Sequence, residues 1–266
     1  MSVARIDGGE LYYEDKGGGV PIVLIHPAGA TSSTWGAVVG DLARTGRVIA
    51  YDRRGCGQSG GEPVRSIQAH AADAAALLDI LGAAPAVVAG ISVAATIAIE
   101  IAYRRPDLVR AVVAHESPWQ VSRHPPTRAE IATLSRMGWL ALRGKHADAA
   151  ETFLRFAYGY RDGGTAWDAF PEAWRRTARE NAKAALADVR MGIGGYPPAA
   201  QLATIKRPVV LTCGTRSRDP LRRVARSLAA VIPGAQVHEI DEAGHAAAFD
   251  APANFARVIA EATRPA

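Results

Sequence analysis

The chain has 266 residues, 48% of them hydrophobic, with 31 basic against 26 acidic side chains and a net charge of +5. This length suits one α/β domain that carries an insertion, and the scattered arginines do not indicate nucleic acid as a partner. The sequence has neither an apolar run of about 18 residues nor the apolar core of a signal peptide, which predicts a cytoplasmic protein that does not span a membrane.

The first part of the chain alternates predicted strands and helices. Two strands surround the turn "DGGE" near the start, and the next strand is the apolar run "VPIVLI", which ends at "HPAGA". Another buried strand, "GRVIAY", leads into the glycine loop "DRRGCGQS", and a helix follows in "SIQAHAADAAALLDILGA". A strand "PAVVAGI", a helix "VAATIAIEIAYRR" and a strand "LVRAVVAH" complete this part. The alternation over residues 20–118 predicts an α/β fold, with a mostly parallel central sheet and helices on both faces.

The segment from residue 119 to residue 200 differs, because it holds no convincing strand and is typical of several helices. It contains four of the five tryptophans: Trp119, Trp139, Trp167 and Trp174. This aromatic-rich insertion predicts an all-helical cap, in which we expect Trp119 and Trp139 to bind substrate. The alternative, that these aromatic side chains only pack the insertion's own core, stays open. Sheet elements resume at "RPVVLTCGT", so the predicted core comprises residues 1–118 and 201–266.

A single hydroxyl marks the end of one predicted buried strand. Ser92 lies where "PAVVAGI" stops and a helix starts, with Gly90 two residues before it and Ala94 two residues after it. A sharp strand-to-helix turn needs small residues at those two positions, and it places the central side chain at the carboxyl edge of the sheet. Active sites of open α/β sheets lie at this edge. Taken alone, the segment is equally compatible with Ser92 as an ordinary helix N-cap.

Several segments together resemble the α/β-hydrolase superfamily. "GISVA" is similar to its nucleophile motif G-x-S-x-G, with Ala94 in place of the second glycine. "HPAGA" resembles its H-G-x-x-x loop, with Pro27 in place of the usual glycine. "DRRGCGQS", residues 52–59, resembles its D-x-R-G-x-G-x-S loop. The resemblance extends over nearly the whole chain.

The resemblance implies a role for several residues. Ser92 would be the nucleophile, and the backbone N–H groups of Ala28 and Val93 would stabilise the oxyanion. We expect His26 to brace the loop that carries Ala28. We do not expect a reactive thiol at Cys56, because the sequence specifies no basic partner for it.

A serine nucleophile needs a base, and His245 is the candidate. It lies in "DEAGH", on a loop after the last predicted strand, where the family's histidine is also found. Four other histidines are more typical of structural or solvated positions: His70 in a predicted helix, His124 and His146 in the insertion, and His238 within a strand.

The third member of a serine triad is a carboxylate that orients the histidine. Many family members carry an Asp shortly after the strand equivalent to "PVVLTCG", but here that register gives Ser217. Glu116, in "HESP", ends the strand that follows the nucleophile helix, and "HESP" together with "GTRSRDP" resembles a subgroup of the family. Asp219, in "RSRDP", also fits a normal helix start. We favour Glu116 as the acid and keep Asp219 as the alternative.

The resemblance implies a serine-dependent hydrolase that cleaves an ester, thioester or lactone of a small, largely apolar molecule through an acyl-enzyme. We expect no cofactor and no metal ion, since Cys56 and Cys213 belong to no C-x-x-C pair or Cys/His cluster. A homo-oligomer is compatible with the sequence. Relatives on this fold also perform C–C hydrolysis, lyase chemistry, perhydrolysis and natural-product tailoring, and some are non-catalytic small-molecule receptors, so these alternatives stay open.

Overall fold

The computed structural model of the protein describes residues 2–119, 126–191 and 196–264. Within these residues eight strands form one sheet in the order β1-β2-β4-β3-β5-β6-β7-β8. The strands are β1 (Ser2–Ile6), β2 (Gly9–Gly17), β3 (Pro21–Ile25), β4 (Arg47–Tyr51), β5 (Ala86–Ile91), β6 (Val109–His115), β7 (Val209–Gly214) and β8 (Gln236–Ile240). Strands β3 to β8 pair in parallel and β1 and β2 pair antiparallel, which confirms the predicted, mostly parallel sheet.

Helices connect these strands and follow the last one. They are α1 (Gly36–Leu42), α2 (Ile67–Ile80), α3 (Val93–Arg104), α4 (Arg128–Leu142), α5 (His146–Ala157), α6 (Glu172–Glu180), α7 (Ala182–Met191), α8 (Ala199–Leu202), α9 (Asp219–Val231), α10 (Ala247–Asp250) and α11 (Pro252–Glu261). The sequence pattern did not predict α1 or α10. These helices have seven and four residues, which is too short to display a clear apolar period.

The central strands are apolar because both faces of the sheet are covered. In β3, Val23 and Ile25 pack into a hydrophobic cluster that includes apolar residues of α2, α3 and α9. The alternate residues Ile22 and Leu24 pack into a second cluster with residues of α1 and α11. Side chains alternate between the two faces of a strand, so one apolar run supplies both cores.

The described residues between β6 and β7 form the helices α4 to α8, which we call the helical insertion. Apart from an isolated bridge between Gly159 and Thr165, the described part of this segment has no strand pairing. The division into a core of residues 1–118 and 201–266 and a cap of residues 119–200 stays a prediction. Within the described ranges, no helix combines the length and apolarity that crossing a bilayer requires.

Candidate active site

Ser92 occupies the turn between β5 and α3, near the middle of the sheet. Its backbone has φ 60° and ψ −127°, and its N–H donates to the carbonyl oxygen of His115 at the end of β6 (2.8 Å). The turn is so tight that a Cβ at Gly90 would clash with the carbonyl oxygen of Ala94. Ala94 is itself fully buried, so its methyl group fits where the family motif has glycine. The side chain of Ser92 makes no capping hydrogen bond, which argues against an ordinary N-cap.

His245 and Glu116 form a buried pair, although 129 positions separate them in the sequence. The distance between Nδ1 of His245 and Oε2 of Glu116 is 2.7 Å. Because a carboxylate only accepts hydrogen bonds, Nδ1 carries the proton and donates it, which leaves Nε2 as an acceptor. The other carboxylate oxygen of Glu116 accepts the backbone N–H of Gly214 (3.1 Å). Glu116 can therefore orient the imidazole in the tautomer that a general base requires.

Backbone strain is concentrated in the same loops. Among the described residues, three non-glycine residues have positive φ: Ser92 (60°), Glu116 (48°) and Glu242 (63°). Such conformations cost roughly 1–3 kcal/mol each and persist where the surrounding structure enforces them, often at functional sites. Ser92 and Glu116 follow the ends of adjacent strands, and Glu242 lies in the loop that carries His245. This pattern supports the hypothesis that the three loops form one site.

The sequence analysis did not assign a role to His115, which anchors the loop that carries His245. Its Nε2 lies 3.1 Å from the carbonyl oxygen of Gly244, and its Nδ1 lies 2.9 Å from Oγ1 of Thr212. A carbonyl oxygen only accepts, so Nε2 is the protonated nitrogen and Nδ1 accepts from the threonine. Burial lowers the pKa of His115, which favours this neutral form. The sequence signal that could have pointed to His115 is its position at the end of β6, directly before Glu116.

The alternative acid, Asp219, lies apart from this pair. Asp219 is the exposed first residue of α9 and is followed by Pro220, an arrangement typical of a helix start. Ser217, which stands where many family members have the acid, is buried, and its Oγ lies 3.0 Å from the backbone nitrogen of Gly214. The structure thus brings Glu116, and not Asp219, into contact with His245.

The pKa of Glu116 makes a testable contribution to stability. Burial alone raises this pKa, but the hydrogen bonds with His245 and Ser217 favour the carboxylate, and the pKa is lowered from 4.5 to about 2. A group whose pKa is lower in the folded protein stabilises it fully above the unfolded value, and that stabilisation is lost as the pH falls. We expect the free energy of unfolding of the wild type, minus that of Glu116→Gln, to decrease between about pH 5 and about pH 2.5. Urea denaturation across this range measures it, and a constant difference would contradict the lowered pKa.

The loop after β3, residues 26–30, carries the predicted oxyanion donor Ala28. In the described part of the chain, neither the N–H of Ala28 nor that of Val93 donates to another group, and Val93 is the first residue of α3. His26 is fully buried and bridges two loops: its Nδ1 lies 2.8 Å from the carbonyl oxygen of Pro27, and its Nε2 accepts the backbone N–H of Arg53 (2.9 Å). Burial lowers the pKa of His26, so the ring is neutral and can make both bonds.

A buried ion pair joins the loop at residues 52–59 to the helical insertion. The guanidinium of Arg53 contacts both carboxylate oxygens of Asp188 on α7, at 3.0 and 2.6 Å. The side chains are 1% and 3% exposed, so water screens the pair little. Arg53 also donates to Nε2 of His70 (3.1 Å) and to the carbonyl oxygen of Pro27 (3.4 Å). Arg53 therefore connects the insertion with the loop that carries Ala28.

A cavity of about 30 Å³ lies between the loop after β3, the loop that carries His245 and the helical insertion. Its walls include Ala28, Ile91 and His245. Aromatic side chains supply a large part of the rest: Tyr158, Trp167, Phe170, Trp174 and Phe249. The predicted aromatic contribution of the insertion is thus present, but different residues make it.

Neither tryptophan that we expected to bind substrate lies on this cavity. Trp119 is buried in the main core, where its indole N–H donates to the carbonyl oxygen of Pro197 (2.8 Å). Trp139 lies on α4 with 52% of its surface exposed, and the guanidinium of Arg143 stacks on its ring (4.4 Å). An aromatic-rich composition does not determine which face of a helix turns toward the cavity.

The other histidines and the cysteine named in the sequence analysis have no hydrogen bond with the Glu116–His245 pair within the described residues. His70 is buried in α2 against Arg53, His146 is exposed, His238 is half-buried on β8, and His124 lies outside the described residues. Burial raises the pKa of Cys56 to about 12, so its thiol is protonated at neutral pH.

Known proteins resemble the whole chain in fold and part of it in sequence. A protein of Azorhizobium caulinodans, provisionally named carbamate hydrolase RutD, is 37% identical over 113 residues, which cover 42% of this chain and 43% of that protein. A Mycobacterium tuberculosis protein, provisionally named non-heme bromoperoxidase BpoC, is 39% identical over 105 residues, covering 39% and 40%. The chain thus matches about two fifths of the length of these curated relatives.

The structural and family comparisons cover much more of the chain. The structure of Est816, described as an N-acyl homoserine lactone degrading enzyme, has 25% identity and a TM-score of 0.78, with 97% of this chain and 98% of that chain covered. The family described as "Alpha/beta hydrolase family" matches residues 22–258. The chain belongs to the alpha/beta hydrolase family.

Proposed function

We propose that this chain is a serine-dependent hydrolase that cleaves an ester, thioester or lactone of a small, uncharged and largely apolar molecule. The observation that carries the proposal is the buried hydrogen bond of 2.7 Å between His245 and Glu116, at the same sheet edge as the strained turn of Ser92. Acyl transfer requires a serine nucleophile and an imidazole base that a carboxylate orients, and the loops that carry these three side chains follow the carboxyl ends of strands in one sheet.

In the proposed reaction, Nε2 of His245 takes the proton of Ser92 while Oγ of Ser92 bonds to the carbonyl carbon. The backbone N–H groups of Ala28 and Val93 donate to the oxyanion of the tetrahedral intermediate. The carbon–oxygen or carbon–sulfur bond to the leaving group then breaks, and His245 gives its proton to that group. Water, activated by the same imidazole, attacks the acyl-enzyme and releases the acid and free Ser92.

The cavity supports an uncharged substrate. Among the described lining residues, His245 has the only ionisable side chain besides the Tyr158 phenol, so no carboxylate, ammonium or guanidinium is available to pair with a charged group. The aromatic side chains favour an apolar acyl group or ring. The cavity of about 30 Å³ is small, which favours a small acyl group. The names of RutD and Est816 both indicate chemistry at a carbonyl that bears a heteroatom.

A second candidate is peroxide-dependent chemistry, which the similarity to BpoC favours. Hydrogen peroxide would replace water in the attack on the same acyl-enzyme, and the product would be a peracid and free Ser92. The two candidates share the nucleophile and the base, so they differ only in the second half-reaction. Measuring peracid formation from a carboxylate ester with and without peroxide distinguishes them.

Labelling with a fluorophosphonate probe tests the activated nucleophile. We expect the probe to modify Ser92, located by peptide mapping, because only an oriented base makes a serine hydroxyl reactive toward it. Labelling should disappear in Ser92→Ala and His245→Ala. It should persist in Ser227→Ala, which removes an exposed serine on α9. Unlabelled wild-type protein would contradict the proposal and favour a binding protein. Labelling that survives in His245→Ala would contradict the proposed role of His245 as the base.

A further inference from the structure

The wall of the cavity has a side with several hydroxyl groups and a largely apolar inner side. On the side of the loop after β3 and of α6, its hydroxyl groups belong to Ser33, Thr34 and Thr177, which are partly or fully exposed, and to Thr31, which is 9% exposed and has its Oγ1 2.8 Å from Oγ of Ser33. The inner wall is apolar apart from the imidazole of His245 and one phenol. Tyr158, the residue that follows α5, lies there with only 7% of its surface exposed, and its ring packs 5.0 Å from that of Phe170 and 5.6 Å from that of His245.

The backbone of Tyr158 is firmly held, but its hydroxyl is not. Its N–H donates to Leu154 (2.9 Å), and its carbonyl oxygen accepts from Ala166 (3.0 Å). Within the described ranges its hydroxyl makes no hydrogen bond, whereas the hydroxyl of Tyr160 donates to Asp250 (2.7 Å). Burial raises the pKa of Tyr158, so this hydroxyl stays protonated and can donate. A donor that has no partner among the described residues and belongs to the wall of a mostly apolar cavity is available to a polar atom of a bound molecule.

We propose that the Tyr158 hydroxyl is a specificity determinant, which donates a hydrogen bond to a second oxygen atom of the substrate, apart from the carbonyl that Ser92 attacks. The inference rests on the proposed hydrolase function and narrows it. The substrate class is small, uncharged esters or lactones that also carry a keto, ether or amide oxygen. A site built to donate to one oxygen discriminates against an analogue that lacks it, because the analogue displaces water from the donor without replacing its hydrogen bond.

Matched pairs of p-nitrophenyl esters test this role. The methoxyacetate differs from the butanoate by one ether oxygen in place of one methylene, and the 4-oxopentanoate differs from the 4-methylpentanoate by a keto oxygen in place of a methyl group. The ratio of kcat/KM within each pair is compared between the wild type and Tyr158→Phe, so that intrinsic reactivity cancels. Phenylalanine keeps the ring and its packing, and removes only the donor. Tyr51→Phe is the control, because it removes a phenol hydroxyl from a buried tyrosine that does not line the cavity.

We expect Tyr158→Phe to lower kcat/KM about tenfold for the oxygen-bearing ester of at least one pair, mainly through KM, and to change its hydrocarbon partner less than about twofold. Tyr51→Phe should leave both ratios unchanged. Equal losses for both members, or no loss in either pair, would overturn the role of Tyr158 while leaving the hydrolase function standing. If the wild type hydrolyses no ester and Ser92 is not labelled, the proposed function itself fails.

Discussion

Replacing Glu116 with glutamine should lower kcat/KM by about 10⁴-fold, the loss known for the equivalent acid-to-amide change in serine proteases. The structure explains why an amide is a poor substitute. The backbone N–H of Gly214 donates to Oε1 of Glu116, so the single oxygen of a glutamine would remain there and turn its NH₂ group toward His245. Two donors would then face each other unless Nδ1 lost its proton. The favoured tautomer would carry the proton on Nε2, which could not accept a proton from Ser92.

Asp219→Asn is the matched control for this experiment. Each of the two changes replaces a carboxylate by its amide, but Asp219 is exposed and does not contact His245. We expect it to retain kcat/KM within about twofold, as is usual for surface substitutions. Comparing melting temperatures ensures that a loss in Glu116→Gln reflects chemistry and not unfolding. If Asp219→Asn were the crippled variant, our choice of acid would be wrong.

The sequence predicted the parts of the site that local patterns encode. Ser92 lies within one strand-turn-helix motif, and the small residues that the turn needs are its neighbours at positions 90 and 94. His245 follows the last strand on a glycine-containing loop. Parallel strands end at one edge of the sheet, so the topology alone predicts that these side chains lie near each other. The strand pattern predicted the sheet for the same reason, because buried apolar runs are continuous in sequence.

The parts that the sequence did not predict depend on contacts between distant segments. The sequence favoured Glu116 as the partner of His245 without excluding Asp219, since Asp219 satisfied the same requirement for an acid. To predict which residues line the cavity, one must know how each helix of the insertion is rotated about its axis, and composition does not encode this rotation. The structure therefore places Tyr158 on the cavity and leaves Trp139 exposed. His115 was overlooked although it directly precedes Glu116, because its contact with the loop of His245 is made to a backbone carbonyl, which no residue type identifies.

Replacing Asp188 with asparagine should lower the free energy of unfolding by about 3–5 kcal/mol, the range for removing one partner of a buried ion pair. The change preserves shape but leaves the charge of Arg53 buried without a carboxylate, and Nε of Arg53 already lacks a partner in the described structure. Asp168→Asn is the control, since Asp168 pairs with Arg155 in the same insertion at 60% and 46% exposure. Exposed pairs contribute about 0–1 kcal/mol, so urea denaturation should separate the two variants clearly.

The same pair should also affect activity, because Arg53 connects α7 with the loop that carries Ala28. Its backbone N–H donates to His26, and its guanidinium donates to the carbonyl oxygen of Pro27. At a temperature where both variants are fully folded, Asp188→Asn should therefore reduce kcat more than Asp168→Asn. The double variant Arg53→Met with Asp188→Leu distinguishes an effect of the pair on stability from an effect on the position of the loop. Apolar residues often replace a buried ion pair without loss of stability. If the double variant regains stability but not kcat, the pair positions the loop; if both return together, the pair acts on stability alone.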